Sequence, residues 1–144
     1  MIIQPRPPIT SPQLISPLIV AAVAILLLGL LREPARQQFS AILVAGAGAA
    51  YLAGGLGPWE LILCGLMSVV AFLGLRDYRW LGLGWMLHSA SDVIHHLYGN
   101  PIIPALPLSS FGCAICDIVL AIWYFAGAPS PYPWVNRGEA KSPD

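Results

Sequence analysis

The stretch PLIVAAVAILLLGLL, residues 17–31, contains no charged side chain. A helix needs about 20 apolar residues to cross the hydrocarbon core of a bilayer, and residues 14–31 approach that length. Ser16 and Pro17 predict the start of this helix, because serine is a favoured N-cap and proline a favoured first helical residue. The run is too long for the core of a signal peptide and lacks an A-x-A cleavage site. We therefore expect it to be a retained membrane-spanning helix.

Four further apolar runs of similar length follow, and the five together predict an all-α polytopic bundle of five transmembrane helices. The predicted helices cover residues 14–31, 40–56, 58–75, 80–98 and 109–127. Of the 144 residues, 57% are hydrophobic and 10% are charged, whereas soluble domains average about 25% charged residues. We expect one membrane domain over residues 14–128, an external tail over residues 1–13 and a flexible cytoplasmic tail over residues 129–144.

The positions of lysine and arginine predict the orientation of this bundle. On alternate sides of five helices, six basic residues fall on one side, and only Arg6 falls on the other. The six are Arg32, Arg36, Arg76, Arg79, Arg137 and Lys141. Because loops rich in Lys and Arg stay in the cytoplasm, the C-terminus is predicted to be cytoplasmic and the N-terminus external. The net charge of zero gives no basic patch, so the expected partner is the lipid bilayer and not nucleic acid.

All three histidines of the chain lie in WMLHSASDVIHHLYGNPIIP, residues 85–104. His88, Asp92 and His95 are spaced i, i+4 and i+7, which places them on one face of the fourth helix, and His96 lies at the edge of that face. At about 1.5 Å per residue from the outer end of the helix, His88 lies near the middle of the membrane. The sequence thus predicts a polar stripe in the outer half of the bundle.

Other ionisable residues are predicted at the same depth, on the neighbouring helices. The fifth helix runs inward from Ser109 and carries Cys116 and Asp117, while Glu60 opens the third helix from the outer side. Ionisable groups are costly inside a membrane and usually serve a function there. Imidazole, carboxylate and thiolate are ligands for zinc or, less well, non-haem iron. The candidate metal ligands are His88, Asp92, His95, His96, Cys116 and Asp117.

A metal held by three protein ligands can activate a water molecule, with a carboxylate as base. The sequence therefore suggests a metal-dependent hydrolase acting on a lipid-like substrate, with Asp117 or Glu60 as candidate catalytic residues. One alternative is a non-enzymatic protein, in which the cluster is a structural hydrogen-bond network or a proton or ion path, the latter requiring a homo-oligomer. A third interpretation is a thiol oxidoreductase, based on the C-x-x-C pair Cys113 and Cys116.

Three blocks of the sequence carry a family resemblance. These are LREPARQQFSAILVAGAGAAYLAGGLGPWE (31–60), GWMLHSASDVIHHLYGNPIIP (84–104) and GCAICDIVLAIW (112–123). They resemble the signature blocks of domain of unknown function 6010, a small bacterial integral-membrane family, over residues 30–128. The resemblance implies a short multi-pass protein of the bacterial inner membrane and no particular activity. More loosely, the Ser, Asp and His set resembles that of intramembrane zinc hydrolases of the alkaline ceramidase and adiponectin receptor kind, which have seven helices and another ligand order.

Overall fold

The computed structural model describes residues 7–135, and these residues form five α-helices without a strand. The helices are α1 (Ser11–Gly29), α2 (Ala35–Ala49), α3 (Pro58–Gly74), α4 (Tyr78–Tyr98) and α5 (Ser109–Phe125). The prediction of an all-α fold is confirmed. Both predicted tails extend beyond the described residues, and so do Arg6, Arg137 and Lys141, so the orientation stays a prediction.

The first helix begins earlier than Ser16 and Pro17 predicted. Thr10 is the N-cap of α1, and it forms a capping box with Gln13. The backbone N–H of Thr10 donates to Gln13 Oε1 at 2.9 Å. Pro17 consequently lies inside α1, where it removes one backbone donor from the helix. The prediction of the N-cap was wrong because a capping box satisfies two orphan N–H groups and outweighs a single serine before a proline.

The second helix is displaced towards the N-terminus relative to the predicted range 40–56. It starts directly after Pro34 and ends at Ala49. The chain then turns through a segment in which Gly55 and Gly57 have φ values of +90° and +71°, a conformation that glycine adopts without steric cost. Tyr51 therefore lies in the turn beyond α2, where its side chain is 1% exposed.

Helix α4 lies at the centre of the bundle. It packs most extensively against α5 and also contacts α3 and α2, while α1 packs mainly against α5. Glycines bring the helices close together, because a Cβ added at Gly84 would lie 2.6 Å from Val44 and one added at Gly48 would lie 2.4 Å from Met67. The central position of α4 surrounds its His and Asp side chains with α2, α3 and α5.

Polar side chains are buried in this bundle and many large apolar side chains are exposed. The buried polar side chains of the helices are Arg36, Ser40, Glu60, His88, Ser89, Ser91, Asp92, His95, Ser110 and Asp117. On the outside, Leu27, Ile42, Leu61 and Ile122 are each more than 60% exposed, the reverse of the usual distribution in water-soluble proteins. Among the described helices, α1 alone is long and apolar enough to cross a membrane, and α3 and α5 are apolar but shorter.

Candidate metal centre

His88 lies near the middle of α4 with 3% of its surface exposed, and a backbone carbonyl determines which of its ring nitrogens carries a proton. Its Nε2 is 2.9 Å from the carbonyl oxygen of Ala47, in the last turn of α2. A carbonyl oxygen only accepts hydrogen bonds, so Nε2 carries the proton and donates it. In the neutral ring the lone pair is therefore on Nδ1, which faces α5.

Two carboxylates face this Nδ1 atom. Asp117 Oδ2 is 2.7 Å away from it and Asp92 Oδ2 is 3.4 Å away. Ligand atoms of the three residues lie within 4.8 Å of one another, and all three side chains are buried. Ligands bound at 2.0–2.1 Å in a tetrahedral zinc site lie about 3.3 Å apart. The distance between His88 Nδ1 and Asp92 Oδ2 is close to this value, and the distance between His88 Nδ1 and Asp117 Oδ2 is shorter.

Tyr51 holds the Asp92 carboxylate in place from the turn after α2. The tyrosine hydroxyl donates to Asp92 Oδ1 at 2.6 Å and lies 2.8 Å from Ser110 Oγ. A hydroxyl has one proton, so the Ser110 hydroxyl donates to Tyr51, while Ser110 Oγ also accepts from the N–H of Ile102 at 3.1 Å. Asp92 thereby uses Oδ1 in this chain of hydrogen bonds. Its Oδ2 has no hydrogen-bond partner among residues 7–135 and points to the cluster.

Further contacts of α4 residues surround the centre. Ser89 Oγ donates to the carbonyl oxygen of Ala114 on α5 at 3.0 Å. The Trp85 ring stands edge-on to His88 with 6.1 Å between centroids, and the Tyr51 ring stacks near it at 5.8 Å. These contacts limit the movement of the His88 ring, so its Nδ1 stays directed at the two carboxylates.

His95 belongs to a second polar group, with Glu60. Its Nδ1 lies 2.9 Å from the carbonyl oxygen of Ser91 and therefore donates to it, while its Nε2 lies 3.5 Å from Glu60 Oε1. The ring stacks on Tyr51 with centroids 3.7 Å apart. Glu60 Oε1 accepts the N–H of Leu56 at 2.8 Å. Tyr51 is therefore shared: its ring packs on the second group and its hydroxyl bonds to the first.

The structure brings together three of the six predicted ligands, namely His88, Asp92 and Asp117. His95 lies with Glu60 in the second polar group, and neither belongs to the cluster of His88, Asp92 and Asp117. His96 is half-buried beside Phe111, with 5.5 Å between the ring centroids. Cys116 lines a cavity towards α1. Both cysteines of the C-x-x-C pair are free thiols.

Glu33 lies at the other end of the bundle. Its carboxylate pairs with Arg36 at 2.6 Å and accepts the hydroxyl of Tyr78 at 2.6 Å. Tyr78 starts α4, about 15 Å along the helix from His88. Glu33 itself thus stabilises the junction of α2 and α4 and does not contribute to the centre.

Two groups that contribute to the centre were not among the site residues predicted from the sequence, namely Tyr51 and the carbonyl group of Ala47. Tyr51 is a lone aromatic hydroxyl within the small-residue run GAGAAYLAGG, residues 46–55, and this contrast was the signal available. No sequence signal identifies a backbone carbonyl as a partner of a histidine.

A family model described as a family of unknown function (DUF6010) matches residues 12–130. The chain belongs to the DUF6010 family. The match contains α2 to α5, all but the first residue of α1, and every residue of the His88 centre, and it confirms the resemblance seen in the three sequence blocks. Comparison with curated proteins and with solved structures found no match.

Proposed function

We propose that the protein is a multi-pass integral membrane protein whose buried centre of His88, Asp92 and Asp117 binds a divalent metal ion, preferably zinc. The membrane location is supported by the exposed apolar side chains on all five helices and by the polar side chains between them. In a bilayer, the lipid tails cover the apolar surface and the costly ionisable groups lie inside the bundle. The inner bacterial membrane, with the N-terminus external, is the location that we propose.

The single observation that carries the metal proposal is the hydrogen bond from His88 Nε2 to the carbonyl oxygen of Ala47. Metal-ligating histidines typically donate their second ring N–H to a carbonyl or carboxylate, which orients the ring. Here that bond leaves the Nδ1 lone pair aimed at Asp117 and Asp92. Tyr51 supports Asp92 in the same manner.

The charge of the centre also favours a divalent cation. Two carboxylates and a neutral imidazole carry two negative charges, and all three groups are buried. Burying unpaired charge costs several kcal/mol per ion, and one divalent cation would cancel both charges. One nitrogen and two oxygen ligands suit zinc and also non-haem iron. Zinc remains the first choice because its structural and catalytic sites are commonly four-coordinate.

The reaction class that we propose is hydrolysis of an ester or amide bond in a lipid-like substrate. Three protein ligands leave one position of a four-coordinate site for water, which a bound zinc ion would activate as a nucleophile. Of the two candidate bases, Asp117 is at the centre, whereas Glu60 pairs with His95 in the second polar group. We therefore assign the base to the carboxylate oxygen of Asp117 that would not hold the metal, which would take a proton from water and pass it to the leaving alcohol or amine.

Elemental analysis of the protein purified in detergent tests the metal proposal. We expect near-stoichiometric zinc in the wild type and none in His88→Gln. His95→Gln is the matched control, because it makes the same change on the same helix in the second polar group, and we expect it to retain zinc. A wild type that binds neither zinc nor iron, even after their addition, would refute the proposal.

A hydrogen-bond network without metal is the second candidate, favoured by the short contacts between His88 and Asp117 at 2.7 Å and between Tyr51 and Asp92 at 2.6 Å. Two protons placed on these groups cancel the same two negative charges. The network would join α2, α4 and α5, or form part of a proton or ion path in a homo-oligomer. A metal-free protein that loses stability in His88→Gln would support this candidate.

A further inference from the structure

We propose that a cavity between α1 and α5 binds the acyl chain of an uncharged membrane lipid beside the His88 centre. The proposal deepens the proposed function, on which it rests, by naming the part of the substrate that is recognised and its place of entry. The cavity has a volume of about 490 Å³, within the range of about 300–1,000 Å³ of small-molecule sites. Its walls include Ser16, Pro17 and Val20 of α1 and Gly112 and Cys113 of α5.

The lining of the cavity suits an apolar chain with an uncharged polar end. Most of the lining is apolar, with Leu106 and Leu108 contributed by the segment before and at the start of α5. The polar side chains apart from the thiols are neutral, namely those of Gln13, Ser16 and Ser109. No Asp, Glu, Lys or Arg is among the lining residues that the structure describes. A fatty-acid anion or a phosphate group would therefore find no counter-ion among the described lining residues, whereas an ester or amide would not need one.

The cavity and the candidate metal centre are adjacent along α5. Cys113 and Cys116 line the cavity, and Asp117 of the centre directly follows Cys116 in the helix. Cys113 also precedes Asp117 by four residues, so both lie on one face of α5, about 6 Å apart along the helix axis. An acyl chain in the cavity would place its polar end within reach of the carboxylates.

A second cavity, at the other end of the bundle, has a different chemistry. Its volume is about 480 Å³, and Arg76, Asp77 and Arg79 are among its lining residues. Charged walls disfavour an acyl chain. The two cavities are similar in size, so it is the lining that assigns the acyl chain to the cavity between α1 and α5.

Gly112→Leu tests the assignment by filling the cavity without touching the centre. A Cβ added at Gly112 would have Pro17 Cγ as its nearest neighbour at 3.5 Å, an ordinary contact. Gly65→Leu is the matched control, because a Cβ added at Gly65 of α3 would meet nothing within 4 Å. Both changes place a leucine in an apolar helix, but only the first is in the cavity.

The probe is a diacylglycerol with a diazirine at the end of one palmitoyl chain, in phosphatidylcholine nanodiscs that contain the purified protein. After illumination, mass spectrometry locates the labelled residues. We expect labelling to concentrate in residues 13–20 and 103–116. In Gly112→Leu the labelling should fall roughly ten-fold, which corresponds to a loss of 1.4 kcal/mol in binding free energy. In Gly65→Leu it should stay unchanged. Palmitate carrying the same diazirine should label these segments much less.

Labelling that is spread evenly over the exposed faces of the helices, or that Gly112→Leu leaves unchanged, would overturn the proposal. Equal labelling by the palmitate probe would contradict the uncharged ligand. The same preparations, analysed for zinc, keep the two proposals apart. Zinc without cavity labelling refutes the acyl-chain site alone, and cavity labelling in a protein that binds no metal refutes the metal centre alone.

Discussion

Replacing Tyr51 by phenylalanine removes one hydroxyl group and leaves the aromatic ring that stacks on His95 at 3.7 Å. The lost hydroxyl donates to Asp92 Oδ1 at 2.6 Å, in a position where Asp92 is fully buried. Hydrogen bonds to charged groups contribute about 1.5–3 kcal/mol, while interhelical bonds in a membrane protein average about 0.6 kcal/mol. Because this acceptor is a buried carboxylate, we expect the upper range to apply.

Loss of such a supporting contact typically weakens metal binding about 10–100-fold. We therefore expect Tyr51→Phe to raise the dissociation constant for zinc by at least about ten-fold, which corresponds to about 1.4 kcal/mol. Competition with a chromogenic chelator in detergent measures this constant. Tyr98→Phe is the matched control, because Tyr98 is 44% exposed at the end of α4, and we expect its zinc affinity to equal that of the wild type.

Zinc affinity that is the same in Tyr51→Phe and the wild type would refute the argument, because Asp92 could not then be a ligand oriented by Tyr51. An equal loss of affinity in Tyr98→Phe would also contradict it, since that result would indicate a general effect of removing a hydroxyl. Thermal unfolding of both variants without metal separates a loss of binding from a loss of folded protein.

Three further predictions concern packing, orientation and the thiols. Gly54→Ala should lower the free energy of unfolding by about 1–3 kcal/mol in thermal or denaturant unfolding, because the added Cβ would lie 2.7 Å from the His95 ring. Gly46→Ala is the control and should not destabilise the protein, because a Cβ added there would meet nothing within 4 Å. Ile103→Cys, in a chain without its other cysteines, should react with an impermeant maleimide from outside the cell, and labelling only from the cytoplasm would reverse the proposed topology. Replacing both cysteines of α5 by serine should leave the zinc content unchanged. A loss of zinc in this variant would indicate that a thiolate is also a ligand.

Local patterns were sufficient to predict five helices, although not the bounds of α2, because a helix depends on runs of apolar residues and on the residues at its ends. The burial of His88, Asp92 and His95 also followed from their spacing, since i, i+4 and i+7 positions share a face in any α-helix. The start of α1 was predicted incorrectly, since Ser16 with Pro17 and Thr10 with Gln13 are both plausible local signals. Only the second pair forms the capping box in the structure.

The composition of the centre could not be read from spacing alone. His88 and His95 share a face of α4, but their rings reach different neighbours: His88 meets Asp117 of α5, and His95 meets Glu60 of α3. Which neighbour a side chain meets depends on how the helices pack, and glycines set that packing. A Cβ added at Gly54 or Gly99 would collide with the His95 ring, so these two positions determine where the ring lies.

The sequence by itself determined that the protein is helical and apolar, that it belongs to its family, and that its three histidines and Asp92 gather on α4, because these properties depend on residue types and on the period of a helix. The tertiary structure decided that Tyr51 orients Asp92 and that the Ala47 carbonyl orients His88. Both contacts join the end of α2 to α4 over about 40 residues of intervening chain. Such contacts arise from the turn at Gly55 and Gly57 and from the close packing of the helices, which residue spacing within one helix does not contain.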